Sequence, residues 1–94
     1  MIRDLVNLTA DGASDWMPVN ERDVVAVTSP NWSGAQAVLQ LSWDSSEARM
    51  IVVDTCTTNK YVPITCPGYA RIVVSSYGGY PVEAKCIMRR RYCE

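Results

Sequence analysis

The chain has no histidine and no phenylalanine. Histidine is the side chain that most often acts as a general base or metal ligand near neutral pH. Nothing else in the sequence takes its place, because there is no paired-carboxylate pattern and no glycine-rich phosphate cradle. The expectation is therefore a protein without enzymatic activity and without a cofactor. Also missing is any run of about 18 apolar residues, the length a membrane-spanning helix needs. The opening Met1-Ile2-Arg3-Asp4-Leu5 carries an acid and no continuous apolar run, so no secretory signal is expected. Nine basic residues against ten acidic ones leave a net charge of −1, so no global field steers the chain to nucleic acid or to a membrane. The four cysteines form no CxxC knuckle, and their spacing fits no common zinc site.

What is present suits a single small globular domain. The 94 residues are 48% hydrophobic and 20% charged, which is too apolar for disorder. A chain this short buries roughly 60 to 65% of its unfolded surface, so the core is thin. The clearest pattern runs from Asn31 to Asp44. Ala35, Ala37, Leu39, Leu41 and Trp43 fall on one face, and Gln36, Gln40 and Ser42 on the other, with only Val38 out of pattern. That is the period-2 signature of a half-buried antiparallel strand. Pro30 and Gly34 bracket a turn before it, and Asp44-Ser45-Ser46 favours a reversal after it. Met50 to Val53 is expected to return beside it as a hairpin. Trp32 and Trp43 would cap the core at the two rims.

The remaining segments read as further short strands. Ile2 to Thr9 is a weak first strand, and a turn-rich Ala10 to Asp15 follows. Trp16 to Val19 belongs at a sheet edge, because Pro18 lacks a ladder donor. Val24 to Thr28 is apolar on both faces, which suits burial on two sides or contact with a partner subunit. Thr55 to Tyr69 is irregular, with a short strand at Lys60 to Ile64. Tyr69 to Ser75 is rich in β-branched residues, and Tyr77-Gly78-Gly79-Tyr80 reads as a tight hairpin into a last strand, Val82 to about Arg90. In that strand Val82, Ala84, Cys86 and Met88 would face inward. The fold class expected is all-β, one small antiparallel β-sandwich of seven or eight strands spanning residues 1–94, with 89–94 as a basic tail.

Four cysteines allow three pairings, and Cys56 with Cys66 is the most economical candidate disulfide, closing a loop over the most irregular segment. Val24, Val25 and Val27, with Tyr77 and Tyr80, exceed what one thin sandwich needs, and surplus apolar area marks an interface. Val25, Val27, Tyr77 and Tyr80 are thus candidate interface residues, with a homotrimer as the expected assembly. Arg89-Arg90-Arg91 is a weak nucleic-acid signal in a net-negative chain and is expected to meet protein or solvent.

Ser14-x-Trp16-x-Pro18-Val19, then Trp32-x-Gly34-Ala35 leading through Leu39-Gln40-x-Ser42-x-Asp44, then Pro67-Gly68-x-x-Arg71 resembles the small β-sandwich virion proteins of tailed bacteriophages. The likeness spans most of residues 14–90, and none of its motifs is catalytic. The four cysteines and the Arg89 to Arg91 run depart from the pattern. The resemblance implies a virion structural protein, assembled in the host cytoplasm, that binds and stabilises the capsid shell as a cement or decoration protein. Alternatives are a head-to-tail junction or head-fibre component. Its partners would be the major capsid protein and its own copies, and Arg89, Arg90 and Arg91 would anchor it to the shell. Two other classes fit the composition. A carbohydrate-binding sandwich would stack sugars on Trp16, Trp32, Tyr77 or Tyr80, and a secreted inhibitor would be stapled by the cysteines.

Overall fold

The computed structural model describes residues 2–87, with residues 2–6 as backbone. Within them the chain forms nine strands and one short 3-10 turn: β1 Ile2–Leu8, β2 Gly12–Ala13, β3 Met17–Val19, β4 Val24–Thr28, β5 Gln36–Ser42, the turn Glu47–Arg49, β6 Ile51–Cys56, β7 Lys60–Pro63, β8 Gly68–Ser75 and β9 Val82–Ile87. Two antiparallel sheets face each other. One has the order β1-β9-β4-β7, and the other β2-β8-β5-β6 with β3 also on β8. The all-β sandwich expected from the sequence is the fold observed. The end where β5 begins is called upper below, and the end where it finishes lower.

The core lies between the sheets and comes from alternate residues. Ala37 and Leu39 of β5, Ile72 and Val74 of β8, Val25 and Val27 of β4, and Val82, Ala84 and Cys86 of β9 are all buried. β4 sits inside its sheet, paired with β9 on one side and β7 on the other. Val25 and Val27 fill the core, while Ala26 is the small outer-face residue between cross-strand Tyr61 and Lys85. That placement explains why β4 is apolar on both faces.

β5 and β6 form the expected hairpin, with one irregularity that reverses half of β6. Leu39 pairs with Asp54 but Gln40 with Val52, so Val53 is an extra residue, a β-bulge. Ile51 opposes Leu41 and Cys56 opposes Ala37. Both positions face inward although five residues separate them, an odd spacing that an unbroken pleat forbids. The bulge is what turns Cys56 into the core.

The glycine pair after β8 does not make a hairpin. β8 belongs to one sheet and β9 to the other, so residues 76–81 cross the upper end of the sandwich. This loop seats against the turn before β5, which Ala35 N–H closes on Trp32 O at 2.7 Å. A Cβ on Gly78 would stand 2.7 Å from Ser33 Cβ and 2.9 Å from Ser33 O, so only glycine permits that approach. Asp11 fixes the loop from the other side, its Oδ1 accepting Tyr77 N–H at 2.7 Å.

The outer flank of β8 is covered by a broken strand. β3 pairs with Gly68 to Ala70 and β2 with Val73 and Val74, leaving Arg71 and Ile72 between them. Ser14 bridges the gap: its N–H donates to Ile72 O at 2.9 Å, and its Oγ accepts Ile72 N–H at 3.0 Å. A side chain thus replaces a missing ladder carbonyl. Ser14→Ala is expected to cost about 1 to 2 kcal/mol in chemical denaturation, because it orphans the Ile72 amide, and to speed hydrogen exchange at Ile72 N–H selectively.

Candidate functional site

The feature with binding character is a cleft at the lower end. Leu41 and Ile51 lie opposite each other on the inward face of β5 and β6, and Trp43 continues that face past the end of the strand. Cys66 and Pro67, in the connection from β7 to β8, form the opposing wall, and Arg49 stands at the rim. The opening has a volume of ≈ 230 Å³, room for one large side chain. Trp43 is 68% exposed and Ile51 60%. Inward-facing positions remain open to solvent because β5 and β6 extend beyond the cover given by the facing sheet.

The loop between β5 and β6 fixes Trp43 there. Ser42, 1% exposed, donates its hydroxyl to Asp44 Oδ1 at 2.9 Å and accepts Ser46 N–H at 2.9 Å. Ser46 Oγ then caps the 3-10 turn by accepting Ala48 N–H at 3.1 Å. These bonds fold the loop back over the outer face, and Arg49 reaches round to Asp44 at 3.4 Å and to the Trp43 ring at 5.4 Å from its centroid. Trp43 is therefore presented at the rim and does not cap the core. Trp32 does pack against the core, with its Nε1–H donating to Asn59 Oδ1 at 2.9 Å.

The polar face expected for β5 is also covered at its lower half. Gln40 is buried, and its Oε1 accepts from Arg71 Nε at 2.7 Å. The same guanidinium donates to Glu47 Oε1 at 2.9 Å and lies 4.6 Å from the centroid of Trp16. Arg71 thus ties β8, β5, the 43–50 loop and the segment before β3 together. Its hydrogen-bond partners are Gln40 and Glu47.

The candidate interface residues are dispersed. Val25 and Val27 have 0% exposure, so they offer no surface to a partner, and their place in an interface is corrected to the core. Tyr77 is half-buried against that core at the upper end, and Tyr80 is exposed there. Arg89, Arg90 and Arg91, like Met88, lie outside the described residues. Of the proposed sugar platforms, Trp16 lies under Arg71 and Trp32 against the core.

Cys56 and Cys66 are not bridged; both are free thiols, one in the core and the other on the cleft wall. Burial is the main influence pushing the Cys56 thiol pKa up, reinforced by the charge of Asp54. A maleimide probe is expected to label Cys66 rapidly in the native protein and Cys56 only on unfolding; equal native rates would contradict this placement. A buried acid also sits near the lower end. Asp23 Oδ2 accepts Asn20 N–H at 2.9 Å and the Cys86 thiol at 3.5 Å, so this carboxylate ties a turn to β9.

At the side edge Lys60 of β7 meets Asp54 of β6 at 3.1 Å, linking the two sheets. The hydrogen bond from Lys60 is the first cause holding the Asp54 carboxyl below its ordinary pKa, with Thr55 N–H second. Among the described residues no cluster of three metal-ligating side chains occurs, and no helix is long and apolar enough to cross a membrane. No family model, curated protein or solved structure matches the chain.

Proposed function

We propose that the chain is a non-enzymatic virion structural protein of the capsid cement or decoration type, which seats on the shell through its lower-end cleft. The observation that carries this reading is the contiguity of exposed Trp43 and Ile51 with the open cleft. Single exposed hydrophobic residues need no explanation, but a tryptophan beside an apolar hollow has the composition of an interface hot spot. The hollow is also preorganised. Its floor is β-strand and its rim loop is held by the Ser42, Asp44 and Ser46 hydrogen bonds, so little ordering cost accompanies binding. The virion resemblance supplies the class of partner, the major capsid protein, and Arg49 at the rim adds a cation to steer attachment.

Co-sedimentation with shells assembled from the major capsid protein of a tailed bacteriophage whose genome encodes this chain tests the proposal. Wild-type chain is expected to pellet with shells. Trp43→Ala should weaken binding by at least about tenfold with an unchanged thermal melt, while Tyr80→Ala at the opposite end should bind normally. Failure of the wild-type chain to pellet, or equal loss in both variants, would reject it.

A further inference from the structure

The lower cleft opens beside β6, which is an edge strand. Edge strands expose unpaired N–H and C=O groups, and natural sheets protect them with lysine, proline, bulges or short length. The other edges are protected in this way. β7 carries Lys60 and Pro63, β1 has a register shift between Asp4 and Val6, and the β2/β3 flank is short, interrupted, and carries Pro18. β6 has neither lysine nor proline, and its one bulge, at Val53, follows a first half that exposes Ile51 at 60% and Val52 at 54%. Those two side chains point to opposite faces, so apolar surface surrounds the bare edge on both sides.

We propose that β6 is the seam of a symmetric homodimer, two copies pairing antiparallel, edge to edge, about a two-fold axis near Val52, so that the β8-β5-β6 sheet continues across both molecules. The charges along the edge select a second copy as the occupant. Arg49 precedes the strand and is exposed, while Asp54 lies toward its other end. Antiparallel pairing about Val52 brings the Arg49 turn of one copy to the end of the other copy's strand where Asp54 lies. Two-fold symmetry makes that cation–anion contact twice, whereas parallel pairing would align like charges. Lys60 already holds Asp54 at 3.1 Å and Asp44 holds Arg49 at 3.4 Å, so each end of the seam brings two acids and two cations together. The bulge at Val53 shortens the ladder the edge can extend, so packing of Ile51 and Val52 contributes alongside a few backbone bonds. This pairing goes beyond attachment to a shell, and it also places two Trp43 clefts side by side.

Sedimentation equilibrium of the purified full chain, without shells, is the test. From micromolar to about millimolar concentration the mass is expected to rise to twice the 10.4 kDa of one chain. Val52→Lys puts a charge on an exposed position and should give a folded monomer at every concentration, checked by circular dichroism. Arg49→Asp should weaken dimerisation by about tenfold, and Arg49→Asp combined with Asp54→Arg should recover most of that loss. A monomer at millimolar concentration, a trimer, or a Val52→Lys chain that still dimerises would overturn the proposal. So would a double exchange that dimerises no better than Arg49→Asp. Because no shell is present, these outcomes are independent of whether the chain binds a capsid.

Discussion

Leu39→Ala is expected to lower the unfolding free energy by about 2 to 5 kcal/mol, the usual range for truncating a fully buried leucine. Leu39 has 0% exposure and lies mid-strand in β5, flanked by Ile72 of β8 and Asp54 of β6. Its own strand is held by ladders on both sides, to β8 and to β6, so the site relaxes little and most of the cavity remains. A domain of this size has a total stability of roughly 5 to 10 kcal/mol, and the melting temperature should fall by on the order of 10 to 25 °C. Leu41→Ala, two residues along on the same face, should cost no more than about half as much, since Leu41 is only half-buried at the mouth of the cleft. Denaturant titration of the two variants reads the difference directly. Equal costs would mean that the facing sheet covers Leu41 as fully as Leu39.

The inner faces of the strands were legible because alternation is a local property. Ala37 and Leu39, or Val82, Ala84 and Cys86, face inward as their spacing requires. Three features depended on information that alternation does not carry. Trp43 has the correct parity for the core, but parity does not reveal how far the opposing sheet reaches, and the rim falls between Leu41 and Trp43. The polar turn residues Asp44-Ser45-Ser46 beside it were the available signal that the strand was ending. Cys56 faces inward because of a bulge at Val53, and a run of valines gives no sign of where an extra residue will be placed. The Gly78-Gly79 pair marked a reversal correctly, yet turn chemistry does not determine whether the next strand rejoins the same sheet or crosses to the other. The β6 edge was hidden for a related reason, since edge position follows from strand order and strand order is a long-range property. Val25 and Val27 were legible as apolar but not as core, because β4 supplies apolar residues to both faces and the sequence does not say which face has a partner within the chain.

Arg71→Ala should be the most disruptive change on the outer surface, at about 2 to 4 kcal/mol, although an arginine at a sheet rim would ordinarily be dispensable. Its side chain is 12% exposed, so its contacts are partly desolvated. Three contacts are lost together, and their sizes differ. Gln40 Oε1, in a residue only 9% exposed, loses its donor, and an orphaned buried acceptor costs about 1 to 3 kcal/mol. The stack on Trp16 contributes about 1 to 2 kcal/mol when sheltered from water. The ion pair with Glu47 adds little, because Glu47 is 73% exposed and such pairs contribute about 0 to 1 kcal/mol. Glu47→Ala is therefore expected to be nearly silent. Arg71→Lys should recover only a minor part of the loss, since an ammonium lacks the planar fork that bonds Gln40 while lying over the indole. Replacing Gln40 by leucine in the Arg71→Ala background should reduce the penalty, as the orphaned acceptor is then removed. Trp16 fluorescence is expected to shift to longer wavelength in Arg71→Ala before any unfolding, reporting the uncovered ring. If Glu47→Ala proved as costly as Arg71→Ala, the ion pair would be the main contact, ahead of Gln40 and Trp16.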